Sequence, residues 1–476
     1  MLQKRLIQRH KVLARLLLYG LPILFTWLLW SYVVRSRAAA ELGIDASWFT
    51  RDYESVEVVQ SFQEYLRFDT SYPDGSEIPA AEYLVRRFEE EGIPAFIERL
   101  GDRNANMWAI LEGESPEALV LHNHIDVDPL FALDEWTHPP FGGVIEPPWI
   151  YGRGAFDMKS VAVAQMEAMF ALKRSGKRLK RSVIFLATGD EESGDSQLGS
   201  QWFIHQHPEL VERFWGLLTE GGAVEAITLD EVRYWGTEFC QKRFIEVWVC
   251  DSNPERLEAL REDLVTIAAW KARTQIPDPI VDFLAGYGRT RGLEIFREML
   301  EHPEVLRGDA SAHFLPPRLQ ASMRNEIVPF PVAEYPGGGY WTRVILHLMP
   351  YETREGIWQD LRLDGLLDSF TYTVDESHLD GGCSDVDHPL YAGIDEYMRQ
   401  NWPDFEHGPL LVPKSATDAR FFRAAGVPSY GYSPFLILST DSTKMTGVDE
   451  RMPLPPFIDG VERYIELVDF LVTSDG

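Results

Sequence analysis

The chain has 476 residues, a formal net charge of −29 at pH 7, 45% hydrophobic residues and 25% charged residues. This length is more than one hydrophobic core ordinarily supports, so we expect two domains with additional segments. The composition excludes an intrinsically disordered chain. The acidic charge argues against a nucleic-acid-binding protein, because a negative surface repels the phosphate backbone.

The N-terminal 40 residues differ from the rest of the chain, because they contain seven Lys or Arg residues and no acid. Residues 16–34 are a run of nineteen uncharged residues, and a helix of roughly 20 apolar residues spans a bilayer. The excess of basic residues before this run predicts a single-pass membrane protein with a cytoplasmic N-terminus and an extracytoplasmic, periplasmic body. We therefore predict a cytoplasmic basic segment at 1–15, a transmembrane helix at 16–34 and a linker at 35–55.

The same N-terminal segment also fits a cleaved signal peptide. Residues 38–40 are three alanines, which suit a small-residue cleavage site. The long apolar run and the two arginines beside that site, Arg35 and Arg37, favour the uncleaved anchor.

Helical and extended patterns alternate after the linker. Apolar residues recur at helical spacing in VEVVQSFQEYLRF, which starts at Val56, and again over 79–91, where a Gly-Ile-Pro sequence ends the pattern. Strand patterns follow at 117–122 and 182–188, with a helical stretch at 158–175 between them. This alternation predicts an α/β domain with a mostly parallel central sheet.

The pattern changes near residue 241. A strand pattern at RFIEVWVC is followed by a charged helical pattern over 254–272 and by strand patterns at 325–333 and 341–348. We therefore predict an α+β domain inserted into the α/β domain, with these bounds: 241–375 for the insertion, and 56–240 with 376–476 for the α/β domain.

Clusters of histidine and carboxylate residues follow the predicted strands of the α/β domain. In such sheets ligands gather beyond the carboxyl ends of the strands, so we expect the clusters to share one crevice. Histidine nitrogen and carboxylate oxygen are the ligands of catalytic zinc, and a pair of metals needs a bridging carboxylate. One such cluster alone is usually a solvated surface, but five occur in order: His124-Ile125-Asp126, Asp157 in GRGAFDMK, Asp190-Glu191-Glu192, Glu220 and Thr417-Asp418.

In this order the clusters resemble those of the co-catalytic zinc exopeptidase and amidohydrolase family, which includes aminoacylase, carboxypeptidase S and acetylornithine deacetylase. Further similarity lies in WTHPPFGGVI, NEIVPFPVAE and SATDARFFRAAGVP, so the resemblance extends from about residue 57 to 473. It implies a zinc-exopeptidase-like catalytic domain and a lid that can mediate a homodimer. It also implies zinc as cofactor and a small acylated amino acid or peptide as substrate.

The resemblance also implies a set of metal ligands. His124 and Glu220 would be the terminal ligands of a first zinc, and Asp157 would bridge the two metals. Glu192 would bind the second metal.

Four further residues take roles from the same resemblance. Asp126 matches the carboxylate that hydrogen-bonds the ligand histidine and orients it. Glu191 matches the general base that takes a proton from metal-bound water and delivers it to the leaving amine. Asn325 and Asp418 match substrate-binding positions.

Three positions depart from the pattern of the family. The last ligand of the family is a histidine that completes the second metal, and Thr446 stands in its place. The second site is then left with the carboxylates of Asp157 and Glu192, which hold zinc weakly or select a harder ion. A lid histidine is missing from 250–254, and His347 replaces a lid arginine that bears on recognition of a substrate carboxylate. The sequence therefore predicts one complete zinc site and an impaired second one.

Lys444 is a candidate for compensating the change at Thr446 and for contacting substrate. It precedes Thr446 by two residues, so on an extended segment both side chains point to one side. Its ammonium group would then take the charge position of the second metal. The alternative is a solvent-exposed lysine.

Two functions remain open at this point. The first is a membrane-anchored, metal-dependent hydrolase of amide or peptide bonds, either an exopeptidase or an N-acyl amino acid deacylase. The second is a catalytically impaired descendant that binds a ligand or partner through the same cleft, as Thr446 suggests. Retention of Asp126, Glu191 and the complete first zinc site favours the enzyme.

The three cysteines, Cys240, Cys250 and Cys383, permit at most one disulfide. Their spacing matches no metal-binding or redox motif, which favours unpaired buried thiols.

Overall fold

The computed structural model describes residues 45–226, 232–271, 279, 320–335, 337–350, 352–376 and 378–473. Within these residues the strands form three sheets, of nine, five and three strands. The predicted segments at 1–15 and 16–34 lie outside the described residues, as does the first part of the predicted linker.

The helices and strands of the described residues have the following bounds. The strands are β1 (Ala95–Leu100), β2 (Asn104–Leu111), β3 (Ser115–His124), β4 (Val144–Glu146), β5 (Trp149–Tyr151), β6 (Arg181–Thr188), β7 (Phe214–Thr219), β8 (Ala223–Ala226), β9 (Val232–Gln241), β10 (Arg243–Asp251), β11 (Glu326–Pro329), β12 (Ala333–Glu334), β13 (Tyr340–Leu348), β14 (Thr371–Asp375), β15 (His407–Val412), β16 (Ser429–Gly431) and β17 (Arg451–Pro453). The α-helices are α1 (Glu57–Leu66), α2 (Ile78–Glu90), α3 (Lys159–Ser175), α4 (Ser200–Gln206), α5 (Pro208–Val211), α6 (Pro254–Lys271), α7 (Arg354–Leu361), α8 (Leu363–Leu367), α9 (Pro389–Asn401), α10 (Ala419–Ala424), α11 (Ser439–Ser442) and α12 (Leu454–Val472).

The largest sheet positions the candidate site. Its strand order is β1-β2-β6-β3-β7-β16-β9-β15, with β8 paired to β9. β3 lies between β6 and β7 and is parallel to both, whereas β2 is antiparallel to β1 and to β6. The sheet is therefore mixed, which corrects the predicted mostly parallel sheet. The turn at 101–103 is too short to join β1 and β2 in any but an antiparallel pairing.

Two long helices pack against each other and against this sheet. α3 is buried over most of its length and ends before Gly176, whose φ of 64° suits a residue without a side chain. α12 carries apolar residues at helical spacing, and its Phe457, Val461 and Val468 are buried. The apolar stripe of α12 thus packs into the main hydrophobic core together with α3 and the sheet.

The five-stranded sheet has the order β11-β13-β10-β14, with β12 paired to β13. All of its pairings are antiparallel. Ile245, Val247 and Val249 alternate along β10 and pack in a separate core with residues of α6 and α7. Strands between Arg243 and Asp375 therefore form a sheet of their own, and the domain bounds at 241 and 375 remain a prediction.

The chain passes between the nine-stranded and the five-stranded sheets in two segments that lie side by side. The Ser384 N–H donates to the carbonyl oxygen of Phe239 over 2.8 Å. Beside this hydrogen bond, Cys240 and Cys383 form a disulfide across 143 residues of sequence. The predicted unpaired thiols are therefore wrong for these two residues. So large a separation leaves no signal in cysteine spacing, and Cys250 is free.

The predicted membrane location is corrected by the described helices. In the part of the chain that the structure describes, no helix is both long and apolar enough to span a bilayer. The longest of them, α12, has 19 residues and five charged side chains. This finding contradicts a single-pass membrane protein with an extracytoplasmic body. The 16–34 segment that carried the prediction lies outside the described residues.

Candidate metal centre

The candidate site lies at the carboxyl ends of three neighbouring parallel strands. β3 ends at His124, β6 at Thr188 and β7 at Thr219. His124 and Thr188 are partners in the strand register. Because parallel strands end at the same edge of the sheet, His124, the 190–192 turn and Glu220 come together there.

Two overlapping groups of possible ligand atoms share His124. Its Nε2 lies 3.2 Å from Asp157 Oδ1 and 3.6 Å from Glu220 Oε1. His124, Asp157 and Glu220 form the first group, and His124, Glu191 and Glu192 form the second, with all ligand atoms of a group within 4.8 Å of one another. Glu191, which the sequence predicts as a base, therefore lies beside the predicted ligands. Imidazole and carboxylate are the ligand types of catalytic zinc, so these residues fit a divalent metal.

The ring of His124 is oriented by Asp126, though not through the predicted carboxylate contact. His124 Nδ1 lies 2.9 Å from the main-chain oxygen of Asp126 and 3.7 Å from its Oδ1. The proton on Nδ1 is therefore donated to the main-chain carbonyl, and the ring presents Nε2 to the carboxylates. Asp126 Oδ2 instead accepts the Glu192 N–H at 2.9 Å. Asp126 thus supports both groups.

The crowded carboxylates leave the centre short of positive charge. Desolvation raises the pKa of Glu191 well above its usual range. Desolvation and then the charge of Asp157 raise the pKa of Glu192 to about 11 and that of Glu220 to about 7. Burial lowers the pKa of His124, but the Glu220 charge and the hydrogen bond to Asp157 outweigh burial and hold that pKa well above its usual value. A bound divalent cation would relieve this repulsion.

The turn that carries Glu191 and Glu192 is held by Glu77, a residue that the sequence analysis missed. Asp190 has a φ of 61°, in the left-handed region. Glu77 Oε1 accepts the Asp190 N–H at 3.0 Å, and its Oε2 accepts the Ala105 N–H at 2.8 Å. Glu77 is only 5% exposed. Acidic side chains are mostly exposed, so nothing in the sequence pattern singles out Glu77 as a buried one.

Gly189 precedes this turn and packs directly on Glu77. A Cβ atom at Gly189 would lie 1.9 Å from Glu77 Oε2, so Gly189→Ala must displace a carboxylate that holds the turn. We expect the affinity for a divalent metal to fall by about 10–100-fold, as for other residues that support metal ligands. Zinc titration with a competing chelator measures this change. Gly365→Ala is the matched control, because a Cβ there meets no atom within 4 Å; unchanged zinc affinity in Gly189→Ala would contradict the role of Glu77.

The two substrate-binding candidates have different surroundings. Asp418 is buried, and its Oδ2 accepts a hydrogen bond from Ser196 Oγ at 3.0 Å. Asn325 is also buried, and its Oδ1 accepts the Met349 N–H at 2.6 Å. Among the described residues Asn325 Nδ2 has no hydrogen-bond partner. Asp418 therefore supports the segment after the 190–192 turn, and the substrate-binding role of Asn325 stays a prediction.

The segment before Thr446 is turned rather than extended. The Lys444 N–H donates to the carbonyl oxygen of Asp441, and the Gly447 N–H donates to that of Lys444. Thr446 itself has a φ of 58°. The prediction that Lys444 and Thr446 share one side of an extended segment is therefore wrong, because α11 leads directly into these turns. Neither residue belongs to the two ligand groups.

A histidine, several carboxylates and a shortage of positive charge at the carboxyl ends of an α/β sheet define a metallohydrolase type of centre. Comparison with known proteins agrees: residues 120–469 match the family model described as Peptidase family M20/M25/M40. Aminoacylase-1 of Sus scrofa is 24% identical over 429 residues, which are 87% of this chain and 95% of that protein.

Two solved structures share the fold. An M20 family metallo-carboxypeptidase of Sulfolobus solfataricus has a TM-score of 0.63 at 15% identity, over 87% of this chain and 99% of that chain. Human carnosine dipeptidase 1 has a TM-score of 0.59 at 14% identity, over 87% of this chain and 96% of that chain.

The chain therefore belongs to Peptidase family M20/M25/M40. The predictions of an α/β fold, of this family and of a hydrolase are confirmed. The match to this family gives no support to the alternative of a catalytically impaired descendant.

Proposed function

We propose that the protein is a zinc-dependent amidohydrolase that cleaves the amide or peptide bond of a small N-acyl amino acid or dipeptide. One observation carries this proposal: His124 Nε2 faces the carboxylates of Asp157 and Glu220 at 3.2 and 3.6 Å, with Glu191 in the overlapping group. Similarity to an aminoacylase, a carboxypeptidase and a dipeptidase supports this type of bond.

The residues of the centre divide the chemistry between them. His124, Asp157 and Glu220 would hold the zinc. When bound, zinc polarises a scissile carbonyl and lowers the pKa of a coordinated water to about 7. Glu191 takes a proton from the attacking water and delivers it to the leaving nitrogen, so it must lie beside the ligands, as it does. Asn325 Nδ2, which has no hydrogen-bond partner among the described residues, would donate to an oxygen of the substrate.

A second metal would rest on Asp157 and Glu192 alone, because Thr446 offers no nitrogen ligand. Two carboxylates without a nitrogen favour hard ions such as Mg²⁺ or Mn²⁺ over zinc. We therefore propose one tightly bound zinc per chain, with a weak second position.

Metal analysis of the purified full chain, followed by a panel of N-acyl amino acids and dipeptides, tests the proposal. We expect one zinc per chain and hydrolysis of at least one class of substrate. His124→Ala should lose both the zinc and the hydrolysis, because it removes the nitrogen ligand common to both groups. His205→Ala is the matched control, since His205 is exposed at the end of α4.

A chain that binds no zinc would reject the proposed centre, and two tightly bound zinc ions would contradict the interpretation of Thr446. The homodimer through the lid, implied by the resemblance, stays a prediction. Sedimentation of the same preparation tests it.

A further inference from the structure

The loop that follows Thr446 contacts the candidate metal centre through Glu450 rather than through Thr446 itself. Glu450 is fully buried. Its Oε1 accepts the N–H of Phe156 at 2.8 Å and the N–H of Asp157 at 3.2 Å. Both donors belong to the turn that presents the Asp157 carboxylate to His124. Glu450 thus binds the main chain of a candidate ligand rather than the metal.

The second oxygen of Glu450 forms a buried ion pair. Oε2 accepts a hydrogen bond from Arg153 Nη1 at 2.8 Å, and neither side chain is exposed. Arg153 Nη2 also donates to the carbonyl oxygen of Pro129 at 3.2 Å. Pro129 follows Asp126 by three residues. The ion pair therefore connects the Asp157 turn with the segment that carries His124.

Burial of two charges adds little net stability by itself, because desolvation offsets their attraction. A carboxylate oxygen that receives two main-chain N–H groups has another effect, since it fixes the peptide planes that it binds. Without this acceptor, the N–H groups of Phe156 and Asp157 would be left unpaired, and the turn would shift to find partners. Such a shift would change the 3.2 Å separation between Asp157 Oδ1 and His124 Nε2.

We propose that Glu450 is a positioning residue of the metal centre: its carboxylate fixes the main chain at Asp157 and thereby sets the affinity for zinc. The inference rests on the zinc centre of the proposed function. The loop around Thr446 would thus contribute to metal binding through Glu450, although Thr446 itself provides no ligand.

Zinc affinity, measured by competition with a chromophoric chelator on the full chain, tests the inference. E450L/R153M removes both charges and the acceptor. E450Q/R153M removes both charges but keeps an amide oxygen for the two N–H groups. E450D keeps the charge and draws the acceptor back by one methylene, so it covers the case in which the apolar double variant does not fold.

A matched control addresses the folding of the loop alone. D441N/R451M removes another ion pair beside the same loop, with a separation of 2.7 Å between Arg451 Nη2 and Asp441 Oδ1. In the part of the chain that the structure describes, neither side chain of this pair hydrogen-bonds to the Asp157 turn. Thermal denaturation of each metal-free variant reports whether it is folded.

We expect zinc affinity about 10–100-fold weaker in E450L/R153M and reduced in E450D, as for other partners of metal-supporting segments. E450Q/R153M and D441N/R451M should stay close to the unaltered chain. Unchanged affinity in E450D and E450L/R153M overturns the inference. An equal loss of zinc affinity in D441N/R451M also overturns the inference, because disruption of the loop alone would then explain the loss. An unaltered chain that binds no zinc instead overturns the proposed function, and the inference with it.

Discussion

Replacing Glu191 with Gln should lower kcat for amide hydrolysis by about 10²–10⁴-fold, the usual contribution of a general base, and leave the zinc content unchanged. Gln has nearly the same shape as Glu but does not accept the proton of the attacking water. Hydrolysis and metal content are measured on the same samples. The two readouts separate a base from a ligand.

Glu209→Gln is the matched control for this substitution, because Glu209 lies exposed on α5. It should leave kcat unchanged. Activity that survives Glu191→Gln would show that the base is another group. Loss of zinc together with activity would make Glu191 a ligand, which its place in the second ligand group permits.

Replacing Cys383 with Ser should lower the free energy of unfolding by about 4–5 kcal/mol under non-reducing conditions. The disulfide between Cys240 and Cys383 closes a loop of 143 residues in sequence separation, and stabilisation grows with the length of the loop that is closed in the unfolded chain. Urea unfolding of the variant and of the unaltered chain measures the difference.

Cys250→Ser serves as control, because Cys250 is free. It should change the unfolding free energy by less than about 1 kcal/mol. Reducing agent should bring the unaltered chain to the stability of Cys383→Ser. Titration of three free thiols in the unreduced, denatured chain would show that the disulfide is absent.

The sequence predicts the elements of the fold whose apolar spacing is regular. The helix pattern over 79–91 is found as α2, and the strand patterns at 117–122 and 182–188 lie within β3 and β6. The mixed character of the sheet has no such signature. It depends on the short turn between β1 and β2 and on the direction of β9, which only tertiary contacts determine.

The residues of the candidate site also fall into those that the sequence predicts and those that it does not. The candidate metal ligands, such as His124 and Glu220, stand in recognisable motifs after strands. Glu77 and Glu450 act instead by accepting main-chain N–H groups from distant turns. Any acid at those positions has the same appearance in a sequence, so their role is visible only in three dimensions. The predicted geometry around Lys444 is wrong for a related reason. A local turn, set by main-chain hydrogen bonds, replaces the extended segment on which that prediction depends.

The contacts of Phe239–Cys240 with Cys383–Ser384 bring together the segments that precede and follow the five-stranded sheet. The chain therefore leaves the nine-stranded sheet for the five-stranded sheet and comes back to it at one place. A domain whose termini lie close together is readily inserted or exchanged at such a point. Exchange of this sheet in evolution would leave the candidate ligands His124, Asp157 and Glu220 in place, because all three belong to segments that precede it in the chain.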